Sequence, residues 1–287
     1  MFRRGIDHLV LAVKDLDSAA ELYRQLGFQV GARNRHPWGT ENRIVQFPAS
    51  FLELITVADP SAVPPHRPGH FSFGAFVTEF LSNREGLAMI ALGSADAARD
   101  TAQFASSGIG PFDTFSFERE GWQPDGTVIR VAFSLAFAHD PAAPGVGFFV
   151  CQHHHPENFW SERFQSHQNG ATGLHSVTMV SPAPNQHERF LAVFTNAEAC
   201  ALGSGLSFSL ARERIDVITP DDAAALLGSI NAPEAKPALA AYSVAVPDLA
   251  FQARRLTAAE IPFSQGPGRL VVPASAARGV AVVFVSP

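Results

Sequence analysis

The sequence predicts an α+β fold in which one βαβββ unit is written four times along 287 residues. Three observations carry that reading. Apolar strand-like runs begin near residues 6, 87, 174 and 239, and each leads into a helical pattern followed by more strands. The junctions resemble one another: Val13-Lys-Asp-Leu16 matches Val246-Pro-Asp-Leu249, and Gly27-Phe28 matches Gly108-Ile109. The strands alternate or run fully apolar, and glycine or proline punctuates the connections.

In the first unit Ile6–Val13 reads as a strand and Ser18–Leu26 as a helix, opened by the capping box Ser18-Ala-Ala-Glu21. Leu16, Ala19, Tyr23 and Leu26 form its buried stripe, and Gly27 stops it. Strands follow at Phe28–Arg33, Asn42–Phe47 and Phe51–Val57. A proline-rich connection, Asp59–Gly69, and a short helix over Phe73–Leu81 lead to the second unit. That unit has a strand at Leu87–Leu92, a helix at Asp96–Ser107, and strands at Phe112–Glu118, Val128–Phe137 and Gly147–His153.

The third unit opens with Leu174–Val180 and a helix from Asn185, where Asn185-Gln-His-Glu188 resembles a capping box; strands at Leu206–Leu210 and Ile215–Thr219 complete it. The fourth runs from Leu239 through a helix ending near Ala259 to strands at Leu270–Val272 and Val280–Ser286. The polar stretch His155–Gly173 separates the halves. The expected division is therefore a pair of units over 1–155, a linker over 156–173 and a shorter pair over 174–287.

Two residues stand out against this pattern. His8 and Glu53 lie inside the most apolar strands of the first unit, and strand alternation places His8 with Ile6, Val10 and Ala12, and Glu53 with Phe51, Ile55 and Val57. A carboxylate in a strand buried on both faces is costly unless it is paired, hydrogen-bonded or bound to metal. Arg43 is the nearest sequence candidate to pair with Glu53.

Composition narrows the function. A net charge of −6 without any basic face argues against nucleic acid and anionic membrane, and no apolar run approaches membrane-spanning length. Cys151 and Cys200 form no disulfide framework or metal spacing, and MFRRG is followed by no secretory apolar segment, so a cytoplasmic protein is expected. His153-His154-His155 sits where a strand meets a loop; only alternate members of such a run converge, and a His-rich strand end is the expected reading.

Four βαβββ units with His in a first strand and Glu in a fourth resemble the vicinal oxygen chelate superfamily, which includes glyoxalase I and the extradiol dioxygenases. Gly5-Ile-Asp-His8, His36-Pro-Trp-Gly-Thr-Glu-Asn42, Phe51-Leu-Glu-Leu-Ile55 and Asn169-Gly-Ala-Thr-Gly173 resemble its glyoxalase-like domain family. The resemblance implies paired units whose curved mixed sheets form an open barrel around a ligand cavity. It also implies metal ligands on first and fourth strands: His8 and Glu53 in unit one, His175 and Asp216 in unit three. At the same positions unit two has Ala88 and Cys151 or Gln152, and unit four has Ala241 or Tyr242 and apolar residues near Phe284. Adjacent pairing of units one and two is expected from connectivity and leaves a half-built site with weak metal binding.

Such a donor set suits Zn, Mn, Fe or Ni acting as Lewis acid. The expected activity is isomerase- or lyase-type chemistry on a small organic molecule, with Glu53 catalytic; a metal-free binding or sequestering protein is the alternative, and an extradiol-type dioxygenase the next. His36, Trp38, Thr40, Asn42 and Arg43 are the expected substrate contacts, since they offer an aromatic wall and hydrogen bonds, and Gly39 permits close approach. A homodimer is compatible with all of these.

Overall fold

A computed structural model of the chain describes residues 3–122, 126–228 and 236–287. Unit one comprises β1 (Ile6–Ala12), α1 (Leu16–Gln25), β2 (Asn34–Arg35), β3 (Thr40–Gln46) and β4 (Phe51–Val57). The helix α2 (Phe73–Asn83) precedes unit two: β5 (Gly86–Gly93), α3 (Ala97–Ser106), β6 (Phe115–Trp122), β7 (Val128–Ala138) and β8 (Gly147–His153). After α4 (Pro156–Phe159), unit three has β9 (Gly173–Val180), α5 (Glu188–Thr195), β10 (Ala199–Leu202), β11 (Gly205–Ser209) and β12 (Arg214–Ile218). A further helix, α6 (Pro220–Leu227), leads to unit four: β13 (Ala238–Ala245), α7 (Leu249–Ala258), β14 (Ser264–Gly266), β15 (Arg269–Val272) and β16 (Ala281–Val285).

Neighbouring units pair. One eight-stranded sheet runs β2-β3-β4-β1-β5-β8-β7-β6 and the other β10-β11-β12-β9-β13-β16-β15-β14, so first strands meet antiparallel at the centre of each. Units one and three therefore share no sheet. The largest apolar core lies between the two sheets and joins Leu9, Leu11, Tyr23 and Phe148 to Val177, Phe194, Phe208 and Tyr242. A second cluster, with Val10, Ala12, Ile55 and Met89, fills the concave face of the first sheet under Phe73, Val77 and Phe80 of α2. In the second sheet the concave face is lined by Val180, Ala240 and Ala281 and closed by Ala223 and Leu227 of α6.

Every first strand carries a β-bulge at the same place. Two residues of one strand face one of its partner around Asp7, Ala88, His175 and Ala240. A bulge re-aims the following side chains, which is why Ile6 packs into the inter-sheet core while Val10 and Ala12 face the concave side. Regular alternation had grouped Ile6 with His8, and the bulge separates them.

Other differences from expectation are local. Helix α1 is capped by Asp15, whose carboxylate accepts the amides of Asp17 and Ser18, so Ser18 is not the cap. In unit three a 3-10 turn at Pro184–His187 replaces the expected capping box. No strand forms over Phe28–Arg33, where one was expected; the edge strand that pairs with β3 is the two residues Asn34–Arg35.

The segment after β8 packs on unit one. Gln46 donates to the Phe159 carbonyl and accepts from the Ser161 amide, and His167 bridges the Gln29 amide and the Gln46 carbonyl. The Gln29 N–H points at His167 Nδ1, so the ring is neutral with its proton on Nε2. Burial lowers its pKa from the ordinary 6.5 to about 4, against a weaker opposing pull from the Gln46 carbonyl. Between those two pH values the unfolded chain binds a proton that the folded chain refuses, so stability falls as pH drops through the window from 6.5 to about 4. The loss is at most ~3 kcal/mol. Urea unfolding near neutrality and near the lower limit is expected to show it in wild type and to show much less of it in His167→Gln. An unchanged midpoint across that range in wild type would contradict the assignment.

Candidate functional site

The concave face of the first sheet holds a cavity with about 550 Å³ of empty space, part of it open to solvent. Its walls are mainly aromatic: Trp38, Phe51, Phe73, Phe117, Phe133, Phe149 and Phe159, with Ile44 and Leu135. Polar groups are few, namely His8, His36, Asn42, Glu53, Arg119 and the Cys151 thiol. An apolar vessel with a few convergent polar groups is the usual form of a small-molecule site.

His8 and Glu53 converge as expected from their strands. His8 Nε2 lies 3.9 Å from Glu53 Oε2, and the imidazole stacks on Phe51 at 4.3 Å between centroids. The bulge adds Asp7: its Oδ1 lies 2.6 Å from His8 Nδ1 and its Oδ2 lies 2.9 Å from His153 Nε2. Burial pushes the Asp7 carboxyl up, but the hydrogen bonds from His153 and His8 outweigh it and hold the group well below the ordinary carboxylate range. An ionised carboxylate only accepts, so Nδ1 of His8 carries a proton, and in the neutral ring Nε2 presents its lone pair toward Glu53.

Glu53 is anchored from the other side. Asn42 donates to Glu53 Oε1 and to His36 Nε2, and its own carbonyl accepts from Asn34. His36 Nδ1 lies 2.8 Å from Thr40 Oγ, and its ring stacks on Trp38 at 4.7 Å. Burial lowers the His36 pKa and keeps the ring neutral, with Glu53 opposing and Arg119 reinforcing the effect. The Trp38 indole N–H is buried on the cavity wall without a partner among the described residues.

Of the expected substrate contacts, His36, Trp38 and Asn42 line the cavity and two do not. Thr40 is spent on His36, and Arg43 turns to the opposite side, donating to the Gly31 carbonyl and to Asp17. Asn42, not Arg43, is thus the partner of Glu53. Gly39 is required by the turn itself: its φ is +82°, and a Cβ there would collide with the Asp59 carbonyl.

One backbone hydrogen bond recurs in every unit and aligns them. It runs from Val13 to Ile55, from Ser94 to Cys151, from Ser181 to Ile218 and from Val246 to Val285. Counting from it, the counterparts of His8 are Met89, Ser176 and Ala241, and those of Glu53 are Phe149, Asp216 and Val283. These replace Ala88, Cys151 and Phe284 of the sequence reading. His175 stands at the bulge position of Asp7, not at that of His8.

His175 and Asp216 lie in the second sheet, away from His8 and Glu53. Arg214 bridges them, 2.9 Å from His175 Nε2 and 2.8 Å from Asp216 Oδ2. A guanidinium already occupies the space an ion would need. In unit two the counterparts of His8 and Glu53 are Met89 and Phe149, both apolar, so the two-unit ligand set implied by the resemblance is half present.

Among the described residues one group of three ligand-type side chains comes together: Asp7, Cys151 and His153, with atoms within 4.8 Å of one another. Both Asp7 oxygens are already engaged by imidazoles. Burial, then the nearby Asp7 and Glu53 charges, raises the Cys151 thiol well above its ordinary range. Sequence reasoning missed Asp7 and His153 as site residues. In the histidine run, His154 bonds Ser134 and His155 lies 3.5 Å from Glu157, so only His153 turns inward.

Comparison with known proteins agrees with the fold. A family model described as a glyoxalase-like domain matches residues 6–195, which spans the segment between the two halves. No curated protein matches the chain. A hypothetical protein from Staphylococcus aureus is similar over 98% of this chain and 99% of its own, at TM-score 0.69 and 11% identity. A variant of 4-hydroxymandelate synthase from Streptomyces coelicolor is similar over 100% of this chain and 93% of its own, at TM-score 0.61 and 12% identity. An Mn(II)-bound glyoxalase from Novosphingobium aromaticivorans is similar over 100% and 83%, at TM-score 0.57 and 13% identity. At these identities the likeness establishes the vicinal oxygen chelate fold and nothing finer. No helix among the described residues is long and apolar enough to cross a membrane.

Proposed function

The chain belongs to the glyoxalase-like domain family, and from that premise we propose that the first cavity takes a small aromatic or apolar carbonyl compound and moves a proton on the carbon beside the carbonyl. The observation that carries this reading is the Asp7–His8 pair, which takes the Nδ1 proton and leaves His8 Nε2 aimed at Glu53, 3.9 Å away, within an aromatic cavity. His8 Nε2 takes the C–H proton, and the Asp7 carboxylate stabilises the imidazolium that forms. Glu53, fixed by Asn42, lies across from Nε2 and relays the proton to the neighbouring atom. The unpartnered Trp38 N–H is the available donor for the substrate oxygen as charge develops there. The outcome is isomerase- or lyase-type chemistry.

The metal of the similar Mn(II) protein does not fit this donor set. His8 and Glu53 are two donors on one side, and Met89 and Phe149 on the other supply none, whereas sites for such ions usually take at least three protein ligands. Ring cleavage with O₂ is disfavoured for the same reason, since it calls for two imidazoles and a carboxylate on one iron. The Met89 and Phe149 positions equally favour the second reading, a metal-free protein that binds or sequesters its ligand without turning it over.

One experiment separates these readings. Protein dialysed against a chelator is mixed in D₂O with small aryl ketones and 2-oxo acids, and loss of the proton beside the carbonyl is followed by NMR. Well under one equivalent of metal is expected to remain, with exchange intact. Binding without exchange would leave the sequestering reading. Exchange that disappears with the metal and returns on adding Mn²⁺ would overturn the metal-free assignment.

A further inference from the structure

Arg119, on β6, lines both the cavity and the wider groove at its mouth. Of the other arginines lining that groove, Arg33 and Arg35 are committed to Glu41, and Arg163 lies over the Phe164 ring. The Arg119 guanidinium has no hydrogen bond or ion pair among the described residues. Burial lowers its pKa and the Glu53 charge only partly opposes that, so the group is partly desolvated without compensation. It stays charged in any case.

We propose that Arg119 receives a carboxylate of the substrate, so that the cavity's ligand is an aromatic or apolar carboxylic acid with its acid group at the mouth. This rests on the reading of the cavity given above and adds its substrate class. The planar guanidinium fork matches a carboxylate with two parallel hydrogen bonds. Phe117 and Phe133 line the cavity with it, and Phe159 belongs to both cavity and groove, so the apolar body and the acid group have adjoining places. The nearby Glu53 charge disfavours a dianion such as a phosphate and is better tolerated by a single negative charge.

The test uses two probes of nearly equal shape, 3-phenylpropionate and its neutral amide, titrated calorimetrically into wild type, Arg119→Ala, Arg119→Lys and the cavity-filling variant Ile44→Trp, each checked for fold by circular dichroism. Wild type is expected to prefer the acid by roughly 10-fold or more, as a charge-assisted hydrogen bond would give. Arg119→Ala is expected to lose the preference, Arg119→Lys to keep part of it, and Ile44→Trp to weaken both probes. Equal binding of the two probes by wild type, blocked by Ile44→Trp, overturns the role of Arg119 and leaves the cavity reading intact. A preference that survives in Arg119→Ala also overturns it. Failure of both probes to bind wild type at millimolar concentration overturns the cavity reading and this inference together.

Discussion

His8→Gln is expected to slow proton exchange by about 10²- to 10⁴-fold, the range a positioned general base supplies. Glutamine keeps polar atoms near Asp7 and Phe51 but has no group that takes a proton near neutral pH. Asp7→Asn is the sharper variant. The native carboxylate accepts from His8 and His153 at once, whereas the amide turns its NH₂ toward one of them. If that is His8, the ring shifts to the other tautomer and Nε2 becomes a donor, so a loss of about 10²-fold or more follows with the cavity unchanged. Exchange rates and probe affinity should be measured together. Exchange lost with affinity retained supports the assignment; full exchange in His8→Gln would remove the base from the mechanism.

The second large effect concerns stability. His187 lies fully buried between Asp140 Oδ2 at 2.6 Å and Ser181 Oγ at 2.8 Å. The sequence of groups resembles a hydrolytic triad, but His187, Asp140 and Ser181 are 0%, 3% and 1% exposed, so no substrate reaches them. Their work is to tie the β7–β8 connection to unit three. Asp140→Ala leaves a buried imidazole N–H without its acceptor and is expected to cost about 3 kcal/mol. In a chain of this size that lowers the melting temperature by roughly 6–12 °C. Ser181→Ala should cost less, about 1–2 kcal/mol, because it removes two neutral hydrogen bonds, with His187 and from the Ala183 amide. Thermal unfolding by circular dichroism checks both, and an unchanged midpoint in Asp140→Ala would show that the pair adds nothing to the junction.

What the sequence determined by itself was the architecture and half the site. Period-two apolar runs, aspartates and glycines at helix ends and the recurrence of one unit are local signals, so four βαβββ units were legible without any tertiary contact. His8 and Glu53 were legible because a polar residue in a doubly apolar strand carries a cost that demands an explanation. Spacing along a strand does not say which partner a side chain reaches: Thr40 is taken by His36 and Arg43 by Asp17, so neither lines the cavity.

The rest depended on tertiary structure. Asp7 should alternate away from His8, and the bulge in β1 against β5 brings its carboxylate to His8 and His153. The backbone hydrogen bond shared by the four units sets their alignment, so Met89 and Phe149, not Ala88 and Cys151, are the counterparts of His8 and Glu53. Arg214 between His175 and Asp216, Arg119 at the mouth and His153 beneath Asp7 are likewise products of strand pairing across long sequence separations. A one-residue slip in register exchanges the faces of every following side chain, so the pairing alone settles which groups share a cavity.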